Sequence, residues 1–244
     1  MEKDIFLSVI IPAYNEEKRL PKTLKAVSDY LSKQDYEFEI IVVDDGSRDK
    51  TKEIAENLKS KIKNLRVLSY EKNQGKGYAV RFGMLNSKGK YRLFMDADNS
   101  TSVDQVEKMW PYFKEGYDVV IGSRDVKGAV LDPPQPLYRR FLGEVFGFLV
   151  SLFCGLWGIK DTQCGFKCFT KKSAEDIFKR CKINRFAFDP EILVIAKKLG
   201  YRIKEIPVYW KNDPESKVKF KSMVKMGMDL IKIRINILKG EYSK

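Results

Sequence analysis

Phe38–Ser47 reads FEIIVVDDGS. A short run this rich in β-branched residues suits a strand buried on both faces, the kind found in parallel sheets. It stops at a doubled acid. Gly46 then permits a tight turn, and Ser47 can cap a helix expected over Lys50–Ser60. The same pattern recurs on either side. LSVII (Leu7–Ile11) precedes Pro12-Ala13-Tyr14-Asn15-Glu16, and Leu20, Leu24, Val27 and Leu31 then fall at helical spacing within Glu16–Leu31. Leu65–Ser69 predicts a strand, with a helix over Gly77–Asn86 after Asn73-Gln74-Gly75-Lys76-Gly77. YRLFM (Tyr91–Met95) runs into Asp96-Ala97-Asp98, and the strand Asp118–Ile121 into Gly122-Ser123-Arg124. Strand–helix alternation implies an α/β fold with a mostly parallel sheet flanked by helices on both faces. Ligands of such sheets bind at the carboxyl ends of the strands, where every one of these polar clusters falls.

Beyond Asp125 the character changes. Gly128–Pro136 predicts a loop, Leu137–Trp157 is apolar with Arg139-Arg140 at its head, and Asp161–Phe169 reads as a polar-aromatic turn. Asn184–Leu199 predicts a loop and helix, Tyr201–Trp210 a strand, Lys211–Ser216 a polar loop and Lys217–Leu238 a basic amphipathic helix. The expected organisation is a catalytic domain over residues 1–215, with an apolar segment inserted at 137–159, followed by the basic helix in 216–244.

Composition narrows the chemistry. The chain has 244 residues, 43% hydrophobic and 32% charged, enough to bury a core without staples. Histidine is absent, and Cys154, Cys164, Cys168 and Cys181 form no C-x-x-C pair, which argues against a zinc site. A metal here would be a hard ion held by carboxylates, Mg2+ or Mn2+. The formal net charge is +13, and residues 197–244 carry thirteen Lys/Arg against five Asp/Glu. That concentration points to phosphates. No aromatic platform or recognised module accompanies it, so nucleic acid is not an expected partner. Met1–Asp4 is charged and the apolar run from Ile5 stops at Pro12, so no secretory leader is expected. The longest uncharged run, Val145–Ile159, has 15 residues, short of the about 20 that a spanning helix needs.

Asp96 and Asp98, two residues apart on a turn, can both bear on one cation, and a divalent cation there can bind a diphosphate. Asp45 can accept hydrogen bonds from a base or ribose, Tyr14 can stack on a base, and Glu16 can bond a ribose. Lys76 among glycines before a helix suits a phosphate. The spacing is not that of a Walker A loop, which excludes that class of ATPase.

Taken together, SVIIPAYNE, IIVVDDGSRD, NQGKGYAVRFG, FMDAD and IGSR resemble the inverting GT-A glycosyltransferases of family 2. In the second half, Asp161–Lys167 (DTQCGFK), Arg185–Asp189 (RFAFD) and the Met-rich basic helix resemble the branch of that family acting on polyprenyl phosphates. Within the branch the chain is most similar to dolichyl-phosphate β-glucosyltransferases, with mannose-transferring relatives close by. The resemblance implies a Rossmann-like GT-A fold and a nucleotide-diphosphate sugar as donor, UDP-glucose or else GDP-mannose. Dolichyl or polyprenyl phosphate would be the acceptor. It implies that Pro12, Tyr14, Glu16, Asp45, Lys76, Asp96 and Ala97 bind the nucleotide sugar and that Asp96 and Asp98 hold the metal. Arg124, Arg139 and Arg140 would surround the acceptor phosphate, with Asp98, Arg124 and Asp161 acting in catalysis. Gln163, Lys167 and Asp189 carry no assigned role.

Two segments suggest a membrane surface as partner. Leu137–Trp157 has a basic head and an apolar body. In Lys217–Leu238, Lys217, Lys221 and Lys225 recur every four residues, while Phe220, Met223, Val224, Leu230 and Ile231 lie at helical spacing. Basic amphipathic helices of this kind lie in the interface of anionic membranes. The expected location is therefore peripheral or monotopic, on the cytoplasmic face. A hydroxyl-accepting polysaccharide transferase is the competing enzyme class. It would need a base carboxylate, for which Asp161 and Asp189 are the candidates.

Overall fold

β1 (Leu7–Ala13) is buried at all seven positions and lies between β2 (Phe38–Asp44) and β4 (Tyr91–Met95), parallel to both. β3 (Leu65–Ser69) continues the sheet beyond β2. On the other side of β4 come β7 (Phe166–Thr170), β5 (Val119–Ser123) and β8 (Ile203–Pro207), giving the order β3-β2-β1-β4-β7-β5-β8. β7 alone runs antiparallel, to both β4 and β5. The strand order reverses at β1/β4, which opens a crevice at the carboxyl ends of those two strands. This computed structural model describes residues 4–211 and 220–243, with backbone alone for 137, 139 and 220–223.

Helices cover both faces, as the alternation predicts: α1 (Leu20–Leu31), α2 (Thr51–Leu58), α3 (Lys76–Leu85), α4 (Trp110–Lys114), α5 (Leu137–Cys154), α6 (Lys171–Arg180), α7 (Phe188–Lys198) and α8 (Phe220–Leu238). One core cluster packs α3, α6 and α7 on the sheet around Ile10, Phe94, Phe169 and Phe188. The other packs α1 and the 3-10 turn Val103–Met109 around Val9, Ile11, Val42 and Phe166.

Several expectations shift. The helix expected from Glu16 begins at Leu20, with Pro21 in its first turn. Asn15 is left-handed (φ 54°), and Glu16 donates its N–H to Thr51 Oγ1 (2.7 Å), which fixes the preceding residues as a turn. Asp161–Phe169, read as a turn, ends in strand β7. Its apolar and polar residues do not alternate cleanly because both faces are covered. Thr170 then caps α6 by accepting from Ser173 N, and that helix has no counterpart in the sequence reading. The Gly128–Pro136 loop contains β6 (Val130–Asp132), which pairs with β9 (Tyr209–Lys211) in a small second sheet, so the expected strand Tyr201–Trp210 is two strands.

α5 and α8 pack against each other and reach the core through Val150, Cys154, Leu230 and Ile233. Their outer faces are apolar and exposed: Tyr138, Phe141, Leu142, Val145, Phe148 and Leu152 on α5, and Val224, Met228, Ile231, Ile235 and Leu238 on α8. Of the residues expected to head the basic helix, Lys217 lies outside the described residues, as do the side chains of Phe220, Lys221 and Met223. Lys225 is exposed. Among the described residues no helix is long and apolar enough to cross a membrane.

Candidate active site

The loops after β1, β2 and β3 are stitched together. Asn15 N donates to Ser47 Oγ (3.0 Å), and Arg48 N donates to Asn15 Oδ1 (2.8 Å). Gly46 (φ 64°) could carry no side chain here, since a Cβ would lie 2.7 Å from Asn73 N. Asp45, 3% exposed, is the knot of this region. Its carboxylate accepts from Tyr70 Oη (2.9 Å), Asn73 Nδ2 (2.7 Å), Gln74 N (2.7 Å) and Gly75 N (2.9 Å). Burial raises its pKa against those bonds. Asp45 thus holds the 70–75 loop, with the amides of Gln74 and Gly75 turned inward to it. Glu16 forms a bidentate pair with Arg19 (2.7 Å each). Pro12 is buried in β1, and Tyr14 stands half-buried just past its end. A depression of about 370 Å³ beside Asp44, Ser47, Ser69 and Tyr70 opens at the ends of β2 and β3.

Asp96, Ala97 and Asp98 sit at the end of β4, beside the crevice. Ala97 O accepts from Thr23 Oγ1 (2.7 Å), which ties the turn to α1. Asp98 accepts from Ser100 N (2.9 Å), and its pKa is raised by burial and by the charge of Asp96. Lys76 Nζ lies 2.6 Å from Asp96 Oδ1. Asp96 rests on Gly165, where a Cβ would be 2.1 Å from Asp96 Oδ2. The donor set fits a hard divalent cation: two carboxylates close enough to repel one another, with no soft ligand needed. No group of three or more His, Cys, Asp or Glu suited to a metal occurs among the described residues, so phosphate and water oxygens would have to complete the shell.

On the far side of the crevice, Arg124 follows β5 and is gripped by Asp161. Nε and Nη2 donate to the two carboxylate oxygens (2.7 and 2.9 Å), and Arg124 N donates as well (3.0 Å). Gln163 N and Cys164 N complete five hydrogen bonds to Asp161. Burial works against its charge, but Arg124 holds the carboxyl down at about 2. The guanidinium lies over the Trp210 ring, 5.5 Å from its centre. Beneath the site Lys167, fully buried, pairs with Asp189 (2.5 Å) and donates to Cys164 O (2.6 Å).

Residues 161–167 therefore have a common task that their sequence did not disclose. Asp161 orients Arg124, Gly165 seats Asp96, and Lys167 neutralises Asp189. The close approach at Gly165 leaves no signal in one sequence beyond the glycine itself. Arg140 is exposed and pairs with Glu144 on α5 (3.3 Å), although its charge reaches Asp125, the neighbour of Arg124. The side chain of Arg139 lies outside the described residues.

Residues 8–178 match glycosyl transferase family 2. The chain is 42% identical, over 95% of its length and 73% of the relative's, to a dolichyl-phosphate beta-glucosyltransferase of Trichomonas vaginalis. It is 39% identical, over 97% of its length and 77% of the relative's, to a dolichyl-phosphate beta-glucosyltransferase of Homo sapiens. The fold is similar to glucosyl-3-phosphoglycerate synthase of Mycobacterium tuberculosis, solved with Mn2+, UDP and glucosyl-3-phosphoglycerate. There the TM-score is 0.67 at 18% identity, over 95% of this chain and 79% of that one. The chain belongs to glycosyl transferase family 2 and, within it, to the family of dolichyl-phosphate β-glucosyltransferases.

Proposed function

We propose that this glycosyltransferase moves glucose from UDP-glucose to dolichyl or another polyprenyl phosphate, with inversion, at a membrane surface. The observation that carries the choice of acceptor is the state of the two carboxylates that a hydroxyl acceptor would need as a base. Asp161 is saturated by five hydrogen bonds and held at about 2, and Asp189 is paired with Lys167 in the core. A phosphate acceptor has a second pKa of about 6 and is already nucleophilic at neutral pH. It needs aiming, not deprotonation. Arg124, locked by Asp161 and backed by Trp210, presents a guanidinium fork that suits phosphate oxygens.

The acceptor oxygen attacks the anomeric carbon as the bond to the β-phosphate of UDP breaks, and UDP departs from the opposite face. A divalent cation, Mg2+ or Mn2+, held by Asp96 and Asp98 would neutralise charge on that diphosphate. The 70–75 loop, braced by Asp45, and the region around Tyr14 and Glu16 would receive the nucleoside.

The exposed apolar faces of α5 and α8 would seat the enzyme on the cytoplasmic face of a membrane, with the lipid tail entering from that side. Residues 137–159 and α8 then form one interface on the catalytic domain. Replacing Ile231 and Ile235 together by Ser should abolish flotation with anionic liposomes and leave nucleotide binding intact. Offering UDP-glucose with polyprenyl phosphate or with free polyprenol tests the acceptor. Transfer to the phosphate alone is expected, and equal transfer to polyprenol would overturn the reading.

A further inference from the structure

Lys76 is the first residue of α3, where an ammonium meets the positive end of the helix dipole and is the wrong charge for helix stability. Its place is nonetheless tightly built. Gly75 and Gly77 pack so closely on 183–185 and Phe188 that a Cβ at either would lie 2.5–2.6 Å from a neighbouring atom. The ammonium is thereby delivered to Asp96 Oδ1 at 2.6 Å. Burial opposes its charge, while Asp96 and Asp189 sustain it. Asp96 cannot retreat, because Gly165 backs its other oxygen and Asp96 N donates to Gly165 O (3.2 Å).

Two cations thus compete for Asp96, since a divalent ion between Asp96 and Asp98 would meet the Lys76 ammonium across a few ångströms. A diphosphate arriving beside them carries the negative charge that can accept that ammonium. We propose that Lys76 is an electrostatic latch on the metal site. It occupies Asp96 in the absence of donor, and it moves to the donor's diphosphate when the nucleotide sugar enters, freeing Asp96 for the metal. Metal alone then binds weakly, and metal and nucleotide bind with reciprocal positive coupling. The inference rests on the glycosyltransferase reading and assigns Lys76 a regulatory part in it.

The test is Mn2+ binding to the full chain, followed by electron paramagnetic resonance or calorimetry at fixed salt, with and without UDP. Lys76→Met should bind Mn2+ about tenfold or more tightly than wild type without nucleotide, and UDP should tighten it by a smaller factor than it does in wild type. Lys76→Arg should behave as wild type. Lys76→Gln serves as a second uncharged variant should Met disturb the fold. An unchanged Mn2+ affinity in the uncharged variants, with UDP still tightening Mn2+ on wild type, would overturn the latch and leave the family reading standing. Absence of Mn2+ binding in every form, UDP present, would remove the metal reading and the latch with it.

Discussion

Asp45 and Asp161 stand on opposite sides of the crevice, each 3% exposed and each surrounded by hydrogen-bond donors. Asp45 draws on neutral donors, a phenol, an amide and backbone N–H groups, and its pKa is raised by burial. Asp161 draws on a guanidinium and is held at about 2. The same local device therefore does two jobs. Past β2 a carboxylate shapes a loop, and past β5 a carboxylate fixes a cation. Geometry alone would not separate them; the charge of the partner does.

The strongest challenge to this contrast lies under the crevice, where Lys167 and Asp189 join its two sides. Lys167→Met should lower stability by about 3–5 kcal/mol, because Asp189 is left buried without its ion-pair partner. Pairing it with Asp189→Leu should recover much of that loss, as urea unfolding would show. Next in size, Asp161→Asn should lower kcat about a hundredfold through the loosened Arg124, with the KM for donor nearly unchanged. Because the folded pKa of Asp161 lies below the usual carboxylate value, its contribution to stability is fully present above about pH 4 and is lost as pH falls toward 2. Unfolding free energy should show that acid slope in wild type and less of it in Asp161→Asn. The mirror substitution, Asp45→Asn, should raise the KM for UDP-glucose about tenfold with little change in kcat. Smallest of all, Asp125→Asn should change kcat by less than about threefold, since this exposed carboxylate has no task with a phosphate acceptor. A large loss would revive a hydroxyl acceptor with Asp125 as its base.

The strand ends of β1, β2 and β4 were largely legible in the sequence. There each strand runs straight into its polar cluster, and FEIIVV and YRLFM are apolar runs interrupted once each, by the buried Glu39 and Arg92, because both faces of β2 and β4 are covered. The side built by β5 and β7 was harder to read. β7 holds a fully buried lysine at its second position, and Lys167 reads as polar until Asp189, distant in sequence, is placed beside it. Just before Lys76, Gln74 N and Gly75 N are engaged by Asp45, since a loop that can bind an external anion can also bind an internal one. The apolar faces of α5 and α8 were visible as apolar stripes, but which stripe faces outward depended on how the two helices pack against each other.

The central claim is a sugar transfer to lipid phosphate through Asp96 and Asp98. It is tested most directly by incubating the chain in detergent with labelled UDP-glucose or GDP-mannose, polyprenyl phosphate and Mg2+ or Mn2+, beside Asp98→Asn. The account predicts β-glucosyl lipid phosphate from UDP-glucose, at least about a thousandfold less of it from Asp98→Asn, and none from GDP-mannose. Undiminished transfer by Asp98→Asn, or binding of UDP-glucose without any transfer to the lipid phosphate, would contradict it.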